Sequence, residues 1–478
     1  MNHHSAGGAI PRNSSFDVAF ALLLPCILMS GCGQFTPEGG GISSVAPASP
    51  VAPLAVQITG RVHGGQQPVS GAQVYLFAAS TAGYGTASTS LLNTSAAGVS
   101  TDQNGNGYVA TDSNGNFNIT GDYTCPAGAL VYAAAVGGNP GINSSTYNFS
   151  LSLMSALGPC SGLSSTTFIS INEVTTVASV WALAPFIVDI YDIGTSSSNI
   201  GGLTNAFAAV NELANIAAGT VSGPALPVGA VLPTAEINTI ANVLSACVNS
   251  QGGIAGDGSN CGNLFTASTP SSGVLPYDTV AAALNIARNP AASVVTLFNL
   301  APAAPPFQPT LAATPNDWTL AVQYKPAGLS TPNALAIDAS GNVWIANCGS
   351  ANCATTGVGS VTELANSGAV TGSTSAGGVN VPYALAIDLT GNAWVANYGG
   401  NSITELNSSL AAVAAAYTGG GLNQPNSIAI DNAGNAWLTN AGVAAISEFS
   451  SSGTPVSGSG GIAVSGVTNP VAIAINPH

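Results

Sequence analysis

Charged side chains are scarce in this chain of 478 residues, of which only 5% are Asp, Glu, Lys or Arg, against about 25% in an ordinary soluble domain. Lys and Arg number 4 and Asp and Glu number 19, so the net charge is −15. A nucleic-acid-binding surface needs several cationic side chains to displace counterions from the phosphates. We therefore expect no nucleic-acid partner. Phosphoryl transfer is also not expected, because it normally uses Lys or Arg side chains to hold the phosphates. The chain has only 4 histidines, which argues against zinc sites and acid–base catalysis based on histidine.

Glycine and proline, in contrast, are abundant, with 58 and 29 residues, and 46% of the chain is hydrophobic. This composition predicts strands and tight turns and excludes general disorder, which requires low hydrophobicity. At about 150 residues per domain, the length predicts about three domains.

The N-terminus has the pattern of an export signal. Arg12 precedes a mostly apolar run at 18–24, and the segment ends Leu28-Met29-Ser30-Gly31-Cys32. This ending resembles the lipobox of bacterial lipoproteins, in which the signal peptidase cleaves before a cysteine that carries diacylglycerol. The run is too short for a membrane-spanning helix. The alternative is a signal peptide that is uncleaved or cleaved in the general way.

The lipobox resemblance implies a signal peptide at 1–31 and lipidation of Cys32. A lipid-anchored chain of the cell envelope has the membrane as its first partner. Gly33 follows the cysteine, where an aspartate would retain the protein in the inner membrane, so we expect an outer-membrane lipoprotein. Residues 32–53, rich in Gly, Pro, Ser and Ala, are expected to form a lipidated linker.

Six cysteines remain once Cys26 and Cys32 are set aside. An even number in an exported chain favours disulfides. The six lie in three well-separated neighbouring pairs, which predicts the bonds Cys125–Cys160, Cys247–Cys261 and Cys348–Cys353. A zinc site is the competing hypothesis, but the chain offers it no CxxC motif and no nearby histidine.

Residues 54–159 are expected to form a β-sandwich. Val56, Ile58 and Val62 alternate with polar side chains, as in a half-buried strand. The order ITGRV, PVSGAQVYLF, TDSNGNFNI resembles the carboxypeptidase regulatory-like domain, a small transthyretin-like β-sandwich. The resemblance implies an accessory module without chemistry of its own.

A loop within this region permits two interpretations. Asp102 to Gly107 reads DQNGNG, which matches the first half of a calcium-binding loop. However, Ser113 stands where that loop needs a bidentate glutamate, and Asn-Gly dipeptides also suit hairpin turns. We favour the turn and keep the calcium site as the alternative.

Residues 160–312 show helical periodicity. Ser170 to Glu173 has the spacing of a capping box, which predicts a helix that ends before Pro185. Further helices are expected at 204–219, after Pro233, and from Asp278 as the N-cap. Acidic residues at Glu173, Glu212 and Glu236 are better explained by helix-dipole compensation or solvation than by catalysis. The pattern shows no active site here.

Repeats dominate residues 313–478. Segments 332–347, 382–397 and 425–440 align, each reading as a small-residue strand, an Asp…Gly-Asn turn and a tryptophan-bearing strand, and a fourth copy begins at Pro470. A third strand follows at 360–364, 402–406 and 445–449. A period of about 40 to 50 residues is typical of propeller blades. We expect the tryptophans to fill space between blades.

These repeats resemble NHL-repeat propellers and, through GNAWVAN and NSITEL, the virginiamycin B lyase-like group. The lyase resemblance implies a divalent cation and a catalytic histidine with acidic partners. Within 332–478 the sequence contains only His478, so that chemistry is not carried over. We expect Asp338, Asp388 and Asp431 to cap turns. Glu363, Glu405 and Glu448 are candidates for a cation- or ligand-binding face, with a structural role as the favoured alternative.

The number of blades falls short of the about six that a closed ring of this type needs. Residues 318–324 are expected to form the outer strand that completes the last blade. Either the gene product is truncated, which we favour, or another chain completes the arc.

The fold class that we expect is therefore multidomain: an N-terminal β-sandwich, a central α-helical domain and a partial C-terminal β-propeller. The sequence predicts a lipid-anchored envelope protein that acts through its propeller as a binding or scaffold module, with a protein or carbohydrate partner and no cofactor. A metal-dependent lyase or hydrolase of the lyase-like propeller group is the alternative. Whether the chain is an enzyme is left open, with a non-enzyme favoured.

Overall fold

The computed structural model describes residues 56–143, 146–354 and 357–476. The expected signal peptide, the lipidation site Cys32 and the linker lie outside these residues, as does His478. Among the described residues, no helix combines the length and the hydrophobicity that crossing a bilayer requires.

The first ten strands form two sheets that pack face to face. They are β1 Ile58–Gly64, β2 Gln67–Pro68, β3 Gln73–Ala78, β4 Thr89–Ser90, β5 Ser100–Thr101, β6 Gly107–Ala110, β7 Asn116–Ile119, β8 Leu130–Val136, β9 Ser152–Pro159 and β10 Phe168–Ile171. The larger sheet has the order β5-β6-β3-β8-β9, with β4 also on β3. The smaller sheet has the order β10-β1-β2, with β7 also on β1, and its β1–β10 pair is parallel.

The larger sheet is buried on both faces. One side of β3 and β8 packs on the smaller sheet through Val74, Leu76 and Ala133. The opposite side packs on helices through residues such as Phe77 and Tyr132. Burial on both faces explains why β8 is a continuous apolar run instead of an alternating one.

Helices and short strands follow between residues 173 and 324. They are α1 Glu173–Leu183, β11 Ile187–Asp189, β12 Asp192–Ile193, α2 Ile200–Leu213, β13 Ala214–Asn215, β14 Thr220–Val221, β15 Ala230–Val231, α3 Thr234–Val248, α4 Asn260–Ser268, α5 Thr279–Arg288, α6 Val294–Phe298 and β16 Gln323–Tyr324. Helix α1 covers the edge strand β9, where Thr176 Oγ1 and Ser179 Oγ accept hydrogen bonds from the backbone N–H groups of Met154 and Ala156 at 3.0 and 2.9 Å. An edge strand covered in this way cannot pair with another chain.

The helices and the larger sheet share one hydrophobic core. The boundary expected at 159/160 falls within it, and contacts unite the described residues from Val56 onward into one compact unit. The division into separate sandwich, helical and propeller domains therefore stays a prediction.

Two helix ends differ from the sequence expectation. The N-cap of α1 is Asn172, whose side chain accepts from Thr175 N, because Ser170 is still paired within β10. Helix α2 ends at Leu213 because the chain turns into the β13–β14 hairpin, and Gly219 lies in that hairpin with φ +71°. The expected starts of α3 after Pro233 and of α5 at the N-cap Asp278 agree with the structure.

The C-terminal part contains three antiparallel repeat sheets. The first is β17 Pro332–Ile337, β18 Val343–Asn347, β19 Ser360–Leu364 and β20 Val370–Thr374; the second is β21 Pro382–Ile387, β22 Ala393–Asn397 and β23 Ser402–Leu406; the third is β24 Pro425–Ile430, β25 Ala436–Asn440, β26 Ala445–Phe449 and β27 Ile462–Ala463. Trp344 of the first sheet shares a core with Leu385 of the second, and Trp394 of the second shares one with Ile428 of the third. Trp344 and Trp394 thus fill the space between neighbouring sheets, as expected from the sequence.

Residues 318–324 do not form the outer strand of a blade, so that prediction is wrong. Trp318 is buried in the core of the helices, where its carbonyl accepts a hydrogen bond from Trp181 Nε1 at 3.1 Å. Strand β16 pairs with β15. Packing against the helices outweighs the local resemblance to a blade strand.

Three disulfides join the same cysteine pairs as expected from the sequence: Cys125–Cys160, Cys247–Cys261 and Cys348–Cys353. The first fastens the segment before β8 to the end of β9. The second joins α3 to α4, and the third closes the loop after β18.

Candidate functional site

The turn between the first two strands of each repeat sheet is built around an aspartate. Oδ1 of Asp388 accepts backbone N–H bonds from Thr390 and Asn392 at 2.8 and 2.9 Å, and Oδ2 accepts the indole N–H of Trp394 at 2.9 Å. The other repeats have the same contacts at Asp338 with Trp344 and at Asp431 with Trp437. The spacing of these residues therefore serves one hydrogen-bonded unit.

The electrostatics of these turns favour the ionised acids. Burial by itself would raise the pKa of Asp338, Asp388 and Asp431, but hydrogen bonds from the indole and from backbone N–H groups outweigh it and hold each pKa below its usual value. The three carboxylates are already engaged as acceptors within their own turns. This geometry explains them as turn residues.

The same loop occurs twice in the sandwich. Oδ1 of Asp102 accepts N–H bonds from Asn104 and Asn106, both at 2.8 Å, and Gly105 has φ +86°. The contacts of Asp112 are equivalent. The turn interpretation accounts for the whole motif at Asp102, and the side chain that a calcium ion would need is committed to it.

The three repeated glutamates lie on the third strand of separate sheets, each opposite a tryptophan. Glu363 accepts from Thr371 Oγ1 at 2.7 Å. Glu405 accepts from Asn392 Nδ2 at 2.8 Å and from Tyr417 Oη at 2.6 Å, and Glu448 is half-buried.

A divalent cation does not fit these glutamates as they stand. Oε2 of Glu363 and both carboxylate oxygens of Glu405 already accept hydrogen bonds from neighbouring side chains. Across the described residues, no three His, Cys, Asp or Glu side chains are grouped so as to hold a metal ion. The geometry therefore gives the proposed cation-binding face no shared coordination sphere.

A second repeated network lies at the other end of each sheet. Asn397 is fully buried, accepts the N–H of Asn380 at 3.1 Å and donates to Thr404 Oγ1 at 2.9 Å. Asn347 and Asn440 make the corresponding bonds in the first and third sheets. This asparagine connects the loop that enters each sheet to the second and third strands of that sheet. We call this end of the sheets, opposite the aspartate turns, the rim, and these hydrogen bonds make it rigid.

The rim is also where the three sheets differ. In the second sheet, Tyr383 and Tyr398 stack with their ring centroids 4.6 Å apart and their planes 25° from parallel. The aligned positions are Asn333 and Cys348 in the first sheet and Asn426 and Ala441 in the third. Both tyrosines are half-buried, so part of the pair is accessible. The pair was not predicted from the sequence, although aligning the three repeats shows that only the second has tyrosine at these two positions.

Glu173 was also misjudged from the sequence. It is fully buried, and both of its carboxylate oxygens lie 3.0 Å from the backbone N of Gly65, which donates to them. Burial raises the pKa of Glu173 to about 8, against the opposing effect of the Gly65 N–H. The prediction that Glu173 is solvated is therefore wrong. The same prediction is also wrong for Glu212, which is buried and accepts from Tyr324 Oη at 2.7 Å.

No protein-family model matches the chain, and no curated protein matches it. Solved propeller structures resemble part of it. Virginiamycin B lyase from Staphylococcus aureus has 18% identity and a TM-score of 0.23, with 26% of this chain and 40% of that one covered. A putative 6-phosphogluconolactonase from Bacteroides uniformis has 16% identity and a TM-score of 0.25, with 32% and 49% covered. A putative gluconolactonase has 18% identity and a TM-score of 0.23, with 32% and 58% covered.

The chain thus spans between 40% and 58% of the length of these three structures. The likeness concerns part of the architecture, and no activity follows from it for this chain.

Proposed function

We propose that this protein is a lipid-anchored binding module of the cell envelope, with its repeat sheets as a rigid scaffold and the Tyr383–Tyr398 pair as the contact surface. The partner is a polysaccharide or a protein of the envelope. The module binds without catalysing a reaction.

The chemistry of the repeats supports a scaffold. The aspartates, the tryptophans and the rim asparagines are all engaged in hydrogen bonds or packing within the sheets. Side chains held in this way preserve shape, and a preformed surface binds at a lower entropic cost than a mobile one.

The stacked tyrosine pair is the observation that carries the proposal. Equivalent turns, cores and asparagine networks recur in all three sheets, whereas the pair occurs in the second sheet alone. Tyrosine offers a large apolar ring with a polar hydroxyl, and it is enriched at binding surfaces for that reason. The other two sheets fold without such a pair, so we assign the two tyrosines to binding.

Support for the anchor comes from the lipobox at Cys32, and the three disulfides suit an oxidising compartment outside the cytosol. Metabolic labelling with a clickable fatty acid tests it. We expect the full-length protein and Cys26→Ser to be labelled and Cys32→Ser to be unlabelled. A wild-type protein without label contradicts the anchor and leaves the binding proposal to its own experiment.

Binding is tested on arrays of purified envelope polysaccharides and purified envelope proteins. We expect Tyr383→Ala and Tyr398→Ala each to weaken the interaction at least tenfold, roughly the loss of one interface hot spot. Tyr277→Ala is the matched control, because Tyr277 is 61% exposed and lies outside the repeats. Equal binding by wild type and both rim variants, or turnover of a ligand, would overturn the proposal.

A further inference from the structure

A polar cleft opens where the smaller sheet meets the helices. Its volume is about 420 Å³, within the range of about 300 to 1,000 Å³ that is typical of small-molecule sites. Its walls come from strand β1, the start of α1, the β13–β14 turn, the start of α3 and the segment 306–308. Residues far apart in the sequence therefore meet here.

The wall formed by 306–308 is held firmly. Phe307 N donates to Asn242 Oδ1 at 3.0 Å, and Asn242 Nδ2 donates back to the Phe307 carbonyl at 2.9 Å. Asn238, on the next turn of α3 toward its start, donates to the Pro309 carbonyl at 3.1 Å. The cleft is thus shaped by a reciprocal pair of bonds and does not depend on a ligand to form.

Arg61 supplies the positive charge of the cleft. It lies on the outer face of β1, where Nε donates to Ser170 Oγ and Nη2 donates to the Ala218 carbonyl, both at 3.3 Å. The guanidinium carbon lies 5.9 Å from the centre of the Phe168 ring. Among the described residues none of these partners is an acid, and the cleft lining contains no carboxylate. These contacts orient the guanidinium and leave its charge uncompensated.

His63 lies two residues further along β1 and therefore on the same face of the strand. Burial, assisted by the charge of Arg61, lowers the pKa of His63, so the imidazole is neutral near pH 7. A neutral imidazole carries one hydrogen-bond donor and one acceptor. It lines the cleft, and within the described part of the chain it has no hydrogen-bonding partner.

The concentration of these groups is unusual for this chain. Of its 4 Lys and Arg residues, Arg61, Arg288 and Lys325 lie in the described part, and His63 is the single histidine there. A chain with a net charge of −15 thus places a cation and a histidine together in one acid-free cleft. Glu173, immediately behind the wall, is mostly protonated near neutrality because burial raises its pKa to about 8, so it adds little repulsion toward an anion.

We propose that this cleft binds a small hydroxylated carboxylic acid, of the size of a sugar acid, through a charge-assisted pair between Arg61 and the ligand carboxylate. His63 hydrogen-bonds a hydroxyl of the same ligand. A guanidinium matches the two oxygens of a carboxylate with parallel N–H donors. One cation and one neutral imidazole suit a monoanion better than a phosphate, which requires more donors. The remaining lining includes amide and hydroxyl side chains, among them Gln66, Thr234 and Gln308, which suit the other hydroxyl groups of the ligand.

Isothermal titration calorimetry on the full chain at neutral pH and low salt tests the proposal with glucuronate, galacturonate and gluconate, with glucose and inorganic phosphate for comparison. We expect at least one of the sugar acids to bind, and glucose to bind at least tenfold more weakly. Arg61→Gln should weaken binding at least tenfold, in line with the loss of a charged hydrogen-bonded pair, while His63→Gln should cause a smaller loss.

Lys325→Gln is the matched control, since it removes one positive charge from an exposed site outside the cleft and should leave binding unchanged. Circular dichroism melts establish that each variant is folded. If Arg61→Gln does not fold, Arg61→Lys takes its place: it keeps the charge, loses the paired donors and should bind less tightly than wild type. No binding of any sugar acid, equal binding of glucose, tighter binding of phosphate, or unchanged binding by the Arg61 variant would overturn the proposal.

Discussion

The pKa values of acidic side chains at the helix starts are raised, whereas those of acidic side chains in the repeat turns are lowered. Glu173 and Glu236 lie in the first turns of α1 and α3, and Asp278 caps α5. Burial raises their pKa values to about 8, 7 and 6, with Asp317 adding to the shift of Glu236. In the repeat turns, hydrogen-bond donors outweigh burial, and the pKa of each aspartate is lowered.

The number and kind of donors explain the difference. Asp388 accepts bonds from two backbone N–H groups, one hydroxyl and one indole N–H. Glu173 has its bond from Gly65 N–H, and the helix dipole that favours its charge does not offset complete burial. A carboxylic acid side chain is therefore a stable anion in the repeat turn, as Asp388, and a largely neutral acid at the buried helix start, as Glu173. A position near a helix N-terminus does not by itself secure ionisation.

The largest effect is expected in the pH dependence of stability. Glu173 has an ordinary pKa of 4.5 and a folded-state pKa of about 8, so the folded chain holds a proton that the unfolded chain releases between these values. The free energy of unfolding should fall as pH rises from about 5 to 8, by up to about 1.4 kcal/mol per pH unit for this group. Glu173→Gln should flatten that slope in urea unfolding.

Asp388→Asn is the control for this comparison, because the lowered pKa of Asp388 keeps it ionised throughout this interval. Its slope should match that of the wild type. An unchanged slope in Glu173→Gln would contradict the assignment of Glu173 as a protonated acid.

A smaller effect is expected from removing a repeat turn. Asp388→Ala deletes the acceptor of Trp394 and of two backbone N–H groups, so the free energy of unfolding should fall by about 2 kcal/mol. Asp112→Ala removes the same backbone contacts at an exposed sandwich turn that has no tryptophan, and its loss should be smaller. Tryptophan fluorescence during denaturation measures both, and equal losses would show that the indole contact contributes nothing.

The smallest effect compares glycine substitutions in the two regions. Gln424 is exposed and has φ +54° immediately before Pro425, a conformation that favours glycine. Gln424→Gly should therefore leave stability unchanged or raise it by roughly 0.5 kcal/mol. Ala208→Gly, at an exposed position inside α2, should lower it by about 1 kcal/mol. Thermal melts of both variants check this, and losses of the same size would refute the difference.

The repeat sheets could be predicted closely from the sequence. Their aligned segments coincide with the strand pairs that begin at Pro332, Pro382 and Pro425. The reason is that each turn, its aspartate and its tryptophan lie within a few residues of one another. Three copies of one local pattern also make chance agreement improbable.

The helical part was predicted less well. Local signals located the starts of α3 and α5, but the end of α2 and the placement of Trp318 depend on packing. The cleft shows the same limit. Arg61 and His63 could be seen two residues apart on one strand, whereas the segments around Gly219 and Phe307 that enclose them come from distant parts of the chain.

By itself, then, the sequence determined what depends on near neighbours: the repeat turns, the alternation of β1, and the cysteine pairs, which are adjacent along the chain. Only the tertiary structure decided which acidic side chains are buried and that residues 318–324 pack with the helices. It also decided that Arg61 and His63 face a cleft. Hydrogen bonds within a turn require only the residues of that turn. Burial and the cost of charge depend on every segment that packs around a group, and those segments meet only when the whole chain has folded.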